Sequence, residues 1–311
     1  MLRLSSLLPA AALACLLATP ALAEVRVLTS IKPLQLIAAA VQDGLGEPDV
    51  LLPPGASPHE YALRPSDMRR LREVDLFYWV GPDLEVFLPR VLEGRPQPSL
   101  ALQTLDGLHL RHFGTEAAPD AEVHAAAASD EHDQAHRPGS LDAHLWLAPG
   151  NARTIAARMA ADLAAADPTH AARYRANLAA FEQRLAATDA KLKARLAPLA
   201  AKPFFVFHEA FDYFEEAYGL QHTGVFAVSA EVQPGARHVA AMRERLQAAG
   251  PSCVFSEPPL RPRLAQTLSE GLPVRLAELD ALGFDLPAQA GSYEQLLERL
   301  GDGLAGCLEQ L

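Results

Sequence analysis

The segment that decides the fold runs from residue 167 to residue 198 and reads DPTHAARYRANLAAFEQRLAATDAKLKARLAP. Asp167 followed by Pro168 is typical of a helix start, because Asp accepts hydrogen bonds from the first N–H groups and proline fits the first turn. Large apolar side chains recur at spacings of three, four and seven residues: Tyr174, Leu178, Phe181, Leu185, Leu192 and Leu196. The pattern predicts one helix of about 30 residues, about 45 Å long, that can join two lobes.

Before this helix, strand-like and helix-like segments alternate from residue 24 to residue 166. The predicted strands are Val25–Thr29, Asp49–Leu52, Asp75–Val80 and Leu108–Arg111. The predicted helices are Pro33–Val41, Ser66–Glu73 and Leu84–Leu92. Such alternation is typical of a parallel sheet covered by helices, so residues 24–166 are predicted to form one α/β lobe.

The alternation resumes after the long helix, from residue 199 to residue 311. The predicted strands there are Phe204–Phe207, Cys253–Ser256 and Val274–Leu279, and the predicted helices begin at Glu209, Ala236, Pro262 and Tyr293. The predicted fold class is therefore α/β, with two parallel-sheet lobes joined by one long rigid helix at 167–198 and a cleft between the lobes.

The charge of the chain argues against one class of partner. The sequence has 27 Lys or Arg against 38 Asp or Glu, a formal net charge of −11, which disfavours nucleic acid. Half of the residues are hydrophobic and 21% are charged, a balance typical of globular proteins and not of disordered chains.

Residues 1–23 have the pattern of a cleavable secretory signal. A basic start precedes an apolar block at 4–17, and Ala21-Leu22-Ala23 forms a small-residue cleavage site. A membrane anchor is the alternative, but Pro9 and Pro20 interrupt a block that is too short for a bilayer about 30 Å thick. We expect cleavage after residue 23 and export of the mature chain.

After removal of that segment, Cys253 and Cys307 are the cysteines that remain. An even pair in an exported chain favours a disulfide over two free thiols. Metal binding by these residues is disfavoured because the sequence has no CxxC pair.

Residues 112–141 interrupt the regular pattern with Ala, Asp, Glu and His and few large apolar side chains. This composition predicts a surface loop. Two interpretations of its histidines stay open: a solvated acidic loop, or an auxiliary metal-collecting loop that uses His124, His132 and His136.

Three histidines stand at positions where ligands bind in α/β proteins. His59 follows a predicted strand through a Pro-Pro-Gly turn, His208 ends another, and His144 precedes a predicted helix capped by Asn151. Ligands of open α/β sheets bind beyond the carboxyl ends of the strands, and Asp280 also follows a strand. Three imidazoles and one carboxylate suit tetrahedral Zn²⁺, although any one of these histidines taken alone is more often structural.

The chain resembles the periplasmic zinc-binding proteins of ABC importers, the ZnuA-type branch of the metal-receptor solute-binding family. The resemblance covers almost the whole mature chain in order. The matching segments are Thr29–Leu34, Gly55–Tyr61, Leu63–Asp67, Trp79–Pro82, His144–Leu147, Val206–Ala210 with Tyr213 and Phe214, Gln233–Ala236, Cys253–Pro258 and Leu279–Gly283.

The resemblance implies a Zn²⁺ site between the lobes, held by His59, His144 and His208, and a disulfide between Cys253 and Cys307. It implies Asp280 or water as the fourth ligand, because Pro58 stands where some members have an acidic residue before the first histidine; Glu60 is a further alternative. It also implies a periplasmic monomer that serves an ABC permease of the cytoplasmic membrane and its cytoplasmic ATPase.

The sequence is also compatible with three alternatives to a zinc receptor. A manganese or broad divalent-metal receptor is the nearest one, although manganese-binding relatives carry a carboxylate where this chain has His208. A zinc hydrolase is a second alternative, since three histidines also describe catalytic sites, but neither His59-Glu60 nor His208-Glu209 completes a zinc-protease motif. An exported interaction protein with a structural zinc is the third.

Overall fold

The computed structural model describes residues 24–114, 139–227, 235–258 and 263–311. The first parallel sheet is formed by the N-terminal part of these residues. Its strands are β1 (Val27–Thr29), β2 (Asp49–Val50), β3 (Leu76–Trp79) and β4 (Ser99–Ala101), in the order β2-β1-β3-β4. The helices between them are α1 (Lys32–Gln42), α2 (Pro65–Glu73) and α3 (Pro89–Leu92). The strands are short; β1 and β3 are buried, whereas β2 and β4 at the two edges are only partly covered. Helix α1 is buried at almost every position because it also contacts the helices that follow.

Two of the predicted elements in this lobe are wrong. Leu108–Arg111 is not a strand, because side chains take its backbone groups: Asn151 bonds the N–H and C=O of His109, and the Tyr213 hydroxyl accepts from the Arg111 N–H at 2.8 Å. The fourth strand is instead β4. The predicted helix Leu84–Leu92 begins only at Pro89, since the Glu85 carboxyl accepts the N–H of residues 80 and 81 and holds a turn there.

Two helices follow the first sheet, and the second of them leads to the second lobe. They are α4 (Pro149–Ala166) and α5 (Ala171–Leu196), separated by the 3₁₀ turn Pro168–His170. Asp167, the predicted cap of the long helix, caps this 3₁₀ turn instead: its side chain accepts from the His170 N–H, and α5 begins one turn later. The predicted cap at Asn151 is wrong: α4 begins at Pro149, and Asn151 is buried inside its first turn.

The long helix α5 packs against both lobes. Its apolar stripe is buried as predicted, except that Leu178 is only partly covered. On one side Asn177 donates to the backbone oxygens of Val41 and Asp43 at 2.9 and 3.0 Å. On the other side Arg184 contacts Glu294 at 2.8 Å. These contacts attach α5, called the rod below, to the end of α1 and to the last helix of the chain.

The second lobe repeats the strand order of the first. Its strands are β5 (Phe204–His208), β6 (Gly224–Ala227), β7 (Ser252–Ser256) and β8 (Val274–Glu278), all parallel, in the order β6-β5-β7-β8. Its helices are α6 (Asp212–Tyr218), α7 (Ala236–Ala249), α8 (Arg263–Ser269) and α9 (Ser292–Leu308). The fold is two parallel-sheet α/β lobes joined by a long helix, as the sequence predicts. In this lobe β6 is the strand that the sequence pattern did not indicate, as β4 is in the first.

The main hydrophobic core continues through both lobes and the rod. One buried cluster includes Leu28 of β1, Phe181 of α5 and Leu300 of α9, and a smaller one lies around Phe226 under the second sheet. A shared core resists relative motion of the lobes, because separating them would expose apolar surface. In the described part of the chain, none of the helices has the length and apolar character needed to cross a membrane.

Cys253 and Cys307 form the predicted disulfide, which ties β7 to the end of α9 across a sequence separation of 54 residues. Closing a loop of this size stabilises the fold by about 4 kcal/mol on the chain-entropy model. We expect the Cys253→Ala/Cys307→Ala variant to lose about that much free energy of unfolding in urea titrations. Dithiothreitol should destabilise the natural protein and leave the variant unchanged; an equal response of both would contradict the assignment.

Candidate metal centre

Three imidazole rings from three distant segments meet between the lobes. The donor nitrogens of His59, His144 and His208 lie within 4.8 Å of one another. The ring centroids are 5.4 Å apart for the pairs 59–144 and 59–208, and 5.1 Å apart for the pair 144–208. The ring planes cross at 56° to 82°, so the rings converge and do not stack. The structure therefore brings together the three histidines that the sequence singles out.

Each histidine is placed by a different local structure. His59 follows the turn at Gly55, whose φ of 79° favours glycine, and its N–H donates to the Ser57 hydroxyl. His144 lies just before a 3₁₀ turn that leads into α4. His208 is the last residue of β5, beside the point where the strand order of the second sheet reverses. The positions of His59, after β2, and His208, at the end of β5, agree with ligand binding beyond the carboxyl ends of parallel strands.

Carboxyl groups stand behind two of the rings. Asp142 Oδ1 lies 2.8 Å from Nδ1 of His144, and Glu257 Oε1 lies 2.7 Å from Nδ1 of His208. Such contacts fix the ring orientation and make the opposite nitrogen, Nε2, a better ligand. Sequence reasoning missed both carboxyl groups. Glu257 could have been found, because it directly follows the buried strand β7 as His208 ends β5.

Burial keeps His144 in the form that binds metals. The ring is 3% exposed, and burial, aided by the nearby His208, lowers its pKa to about 3. Burial raises the pKa of Asp142 to about 7. A neutral imidazole is the metal-binding form, so His144 can coordinate a cation throughout the neutral pH range.

The imidazoles form one wall of a partly open cavity of about 220 Å³ between the lobes. Its other walls are mainly apolar and include Pro58, Trp146, Pro258, Leu282 and Phe284. Two hydrogen bonds join the lobes beside this cavity. The Trp146 indole donates to the Ala281 oxygen at 2.9 Å, and the Tyr293 hydroxyl donates to the Trp146 oxygen at 2.6 Å.

The other predicted site residues are placed differently. Asp280 is not in the cluster of donor atoms found among the described residues; its carboxyl oxygens accept the N–H groups of Leu282, Gly283 and Phe284 at 2.7 to 2.9 Å. Asp280 thereby shapes the loop that lines the cavity. Glu60 is exposed. The loop histidines His124, His132 and His136, like the signal segment 1–23, lie outside the described residues.

A second group of possible ligands consists of Glu209, Asp212 and His222, within 4.8 Å of one another. Burial alone would lower the pKa of His222, but the hydrogen bond and charge of Glu215, with the charges of Asp212 and Glu209, raise it to about 9. The ring lies 3.0 Å from the Glu215 carboxyl. A protonated imidazole must lose its proton before it can bind a metal, so the contacts at neutral pH are those of an ion-pair cluster.

Comparison with known proteins gives a consistent match. The family model described as the periplasmic zinc-uptake complex component A matches residues 27–307. The high-affinity zinc uptake system protein ZnuA of Yersinia pestis is 38% identical over 303 residues, with 95% of each chain covered. The protein of the same name from Brucella suis is 35% identical, with 91% of this chain and 92% of that protein covered.

Solved structures share the fold. A zinc-bound deletion mutant of ZnuA has a TM-score of 0.73 at 22% identity and covers 92% of this chain and 98% of its own. The solute-binding protein FpvC of Pseudomonas aeruginosa, solved with Mn²⁺, has a TM-score of 0.75 at 22% identity, with 93% and 99% covered. At these identities the likeness concerns the fold alone.

The ion-pair cluster gives a prediction about stability. Because the pKa of His222 is raised above its unfolded value, its contribution, about 2 to 3 kcal/mol, is fully present below pH 6.5 and lost as the pH rises through 9. His222→Gln should therefore lower the free energy of unfolding at pH 6 and have little effect near pH 9.5. His170→Gln, at a more exposed His–Asp pair, is the control and should cost about 0.5 kcal/mol. A pH-independent loss at His222 would contradict the assignment.

Proposed function

The chain belongs to the periplasmic zinc-uptake component A family, and we propose that it is a receptor that captures Zn²⁺ and delivers it to an ABC permease for import. The observation that carries this proposal is the convergence of three imidazoles from both lobes on one point. The ligands we assign are Nε2 of His59, His144 and His208.

The donor set favours zinc over manganese. Imidazole nitrogens suit Zn²⁺, whereas Mn²⁺ prefers carboxylate and other oxygen donors. In this cluster all three donors are nitrogens, and the nearby carboxyl groups of Asp142 and Glu257 contact the far sides of two rings. A manganese or broad divalent-metal receptor is the second candidate, because carboxyl groups adjoin the site.

Binding between two lobes links metal occupancy to lobe geometry. His59 and His144 belong to the first lobe and His208 to the second, so a bound ion adds bonds across the cleft. A permease could then distinguish loaded from empty receptor, provided that the two geometries differ in metal affinity. The continuous core and the α5 rod favour a small movement over a wide hinge opening.

We further propose the cellular setting that the sequence predicts. Residues 1–23 are a signal removed on export, and the mature monomer works in the periplasm with the permease and its cytoplasmic ATPase. The proposed division is a first lobe at 24–166, a linking helix at 167–198 and a second lobe at 199–311. The loop histidines remain candidates for an auxiliary role in collecting metal.

The zinc hydrolase remains a lower alternative. We propose that the chemistry is coordination without turnover, in keeping with the family. The contacts of Asp142 and Glu257 with ring nitrogens suit ligand orientation. Hydrolysis of an ester, amide or phosphate substrate that disappears in His208→Ala would favour the alternative.

Zinc should stabilise the folded protein. At a free zinc concentration about 100 times the Kd, binding adds about 2.7 kcal/mol of stability, which corresponds to a rise in Tm of about 5 °C or more. Scanning calorimetry of the metal-free protein with Zn²⁺ or Mn²⁺ at equal concentration measures this, and we expect the larger shift with Zn²⁺. No shift with zinc would remove the basis of the proposed function, and an equal shift with Mn²⁺ would favour the broad receptor.

Replacement of a ligand should weaken zinc binding strongly. We expect His59→Ala, His144→Ala and His208→Ala each to lower the affinity at least about 100-fold, or about 2.7 kcal/mol, in competition titrations with a chromophoric chelator.

The controls for these variants are histidines outside the proposed site. His222→Ala tests the ion-pair cluster, and His132→Ala/His136→Ala tests the loop; both should change the affinity less than about 3-fold. Equal losses in the two sets of variants would mean that the metal is held elsewhere.

A further inference from the structure

We propose that Tyr213 and Tyr293 are positioning residues for the metal ligand His144. Both tyrosines belong to helices of the second lobe, α6 and α9, whereas His144 precedes α4 in the first lobe. Their hydroxyls hold the backbone on each side of His144, so the second lobe orients this histidine as well as its own ligand, His208. This inference rests on the proposed function, since it treats His144 as a ligand of the metal.

The two hydroxyls bond carbonyl groups at equal distances along the chain from His144. Tyr213 donates to the Asp142 oxygen at 3.0 Å, and Tyr293 donates to the Trp146 oxygen at 2.6 Å. These oxygens belong to the residues two before and two after the histidine. Both tyrosines are buried, at 1% and 0% exposed, so little water is at hand to replace a lost bond.

The Tyr213 hydroxyl is held in one direction. It accepts the Arg111 N–H at 2.8 Å, and the Asp142 N–H donates to the Arg111 oxygen at 3.0 Å. A hydroxyl has a single proton to donate, and the N–H of Arg111 occupies one of its acceptor positions. The proton of Tyr213 is therefore directed at the Asp142 oxygen, and the hydroxyl joins two backbone segments that are already bonded to each other.

The residues held by the tyrosines also contact the His144 ring. Asp142 Oδ1 lies 3.0 Å from the His144 backbone nitrogen and 2.8 Å from Nδ1 of its ring. On the other side, the Trp146 ring has its centroid 5.3 Å from that of His144. A group that fixes the backbone of Asp142 or Trp146 thereby fixes a neighbour that orients the imidazole.

The first lobe also contributes a bond to this segment, but a local one. Asn151 donates to the Leu145 oxygen at 3.0 Å, across six residues of sequence. Such a bond fixes the shape of the 3₁₀ turn. The tyrosine bonds span 71 and 147 residues and come from the opposite lobe, so they fix the place of the turn in the cleft.

The test compares Tyr213→Phe and Tyr293→Phe in the full mature chain, each of which removes one hydroxyl and keeps the ring. We expect the zinc affinity to fall about 10-fold in each variant, in competition titrations with a chromophoric chelator; this is the lower end of the effect of groups that orient metal ligands. Urea titrations check that each variant is folded. The two tyrosines are tested separately, so if one variant does not fold the other decides.

Tyr78→Phe is the matched control. It also removes the hydroxyl of a buried tyrosine, one that donates to Asp162 at 3.1 Å between β3 and α4. It should change the zinc affinity less than about 2-fold.

A double-mutant cycle shows whether the hydroxyls act through His144. In the His144→Ala background, Tyr213→Phe and Tyr293→Phe should each cause less than about 2-fold further loss, because the ligand that they orient is gone. In the His59→Ala background the loss of about 10-fold should persist. A general loosening of the fold would lower the affinity equally in both backgrounds.

The outcomes separate this inference from the proposed function. Failure of the natural protein to bind Zn²⁺ would overturn the proposed function. Normal zinc binding, with changes below about 2-fold in the folded tyrosine variants at 213 and 293, would overturn the inference alone. An equal loss in Tyr78→Phe, or equal losses in the His144→Ala and His59→Ala backgrounds, would also overturn it, since the hydroxyls would then act on overall stability and not on His144.

Discussion

The site depends on the attachment of the α5 rod to both lobes. Three imidazoles that belong to segments far apart in sequence can share one ion only if their backbones are held in register. The rod supplies this through Asn177, which bonds the end of α1, and Arg184, which pairs with Glu294 of α9. A buried hydrogen bond from Trp146 to Ala281 also joins the two lobes, beside the cavity. The relative position of the two lobes at the cleft is therefore set by the packing of the whole core.

Two histidine clusters in the same protein show how surroundings decide chemistry. His144 lies where burial dominates, and its pKa falls to about 3, so the ring stays neutral and can coordinate. His222 is also well covered, but Glu215, Asp212 and Glu209 surround it and its pKa rises to about 9. Proximity of His, Asp and Glu is thus a poor criterion for a metal site by itself. The protonation state of the imidazole separates the convergent site from the ion-pair cluster.

The sequence was sufficient for the features that depend on local pattern. The rod was predictable because a period of three and four persists from Tyr174 to Leu196, and the histidines were predictable because each stands at the edge of a regular element. Side chains that satisfy backbone groups were not predictable. The strand predicted at 108–111 failed because Asn151 and Tyr213, distant in sequence, take its hydrogen bonds. Asp142 and Glu257 were missed for a different reason: each contacts the ring of a histidine inside its own lobe, and no periodic pattern marks either carboxyl group.

The rigidity of the fold limits how the metal could be released. If the lobes move little, a large fall in metal affinity has to come from displacement of a single ligand. One ligand is sufficient, because a 100-fold fall in affinity corresponds to only about 2.7 kcal/mol. His144 and His208 are 3% and 4% exposed and are each held by a carboxyl group. His59 is more exposed and lies on a loop that turns at Gly55, outside any strand or helix. If the three histidines bind the metal as we propose, movement of this loop would lower the coordination number while the core and the other two ligands stay in place. His59 is therefore the proposed ligand whose displacement would cost the fold least.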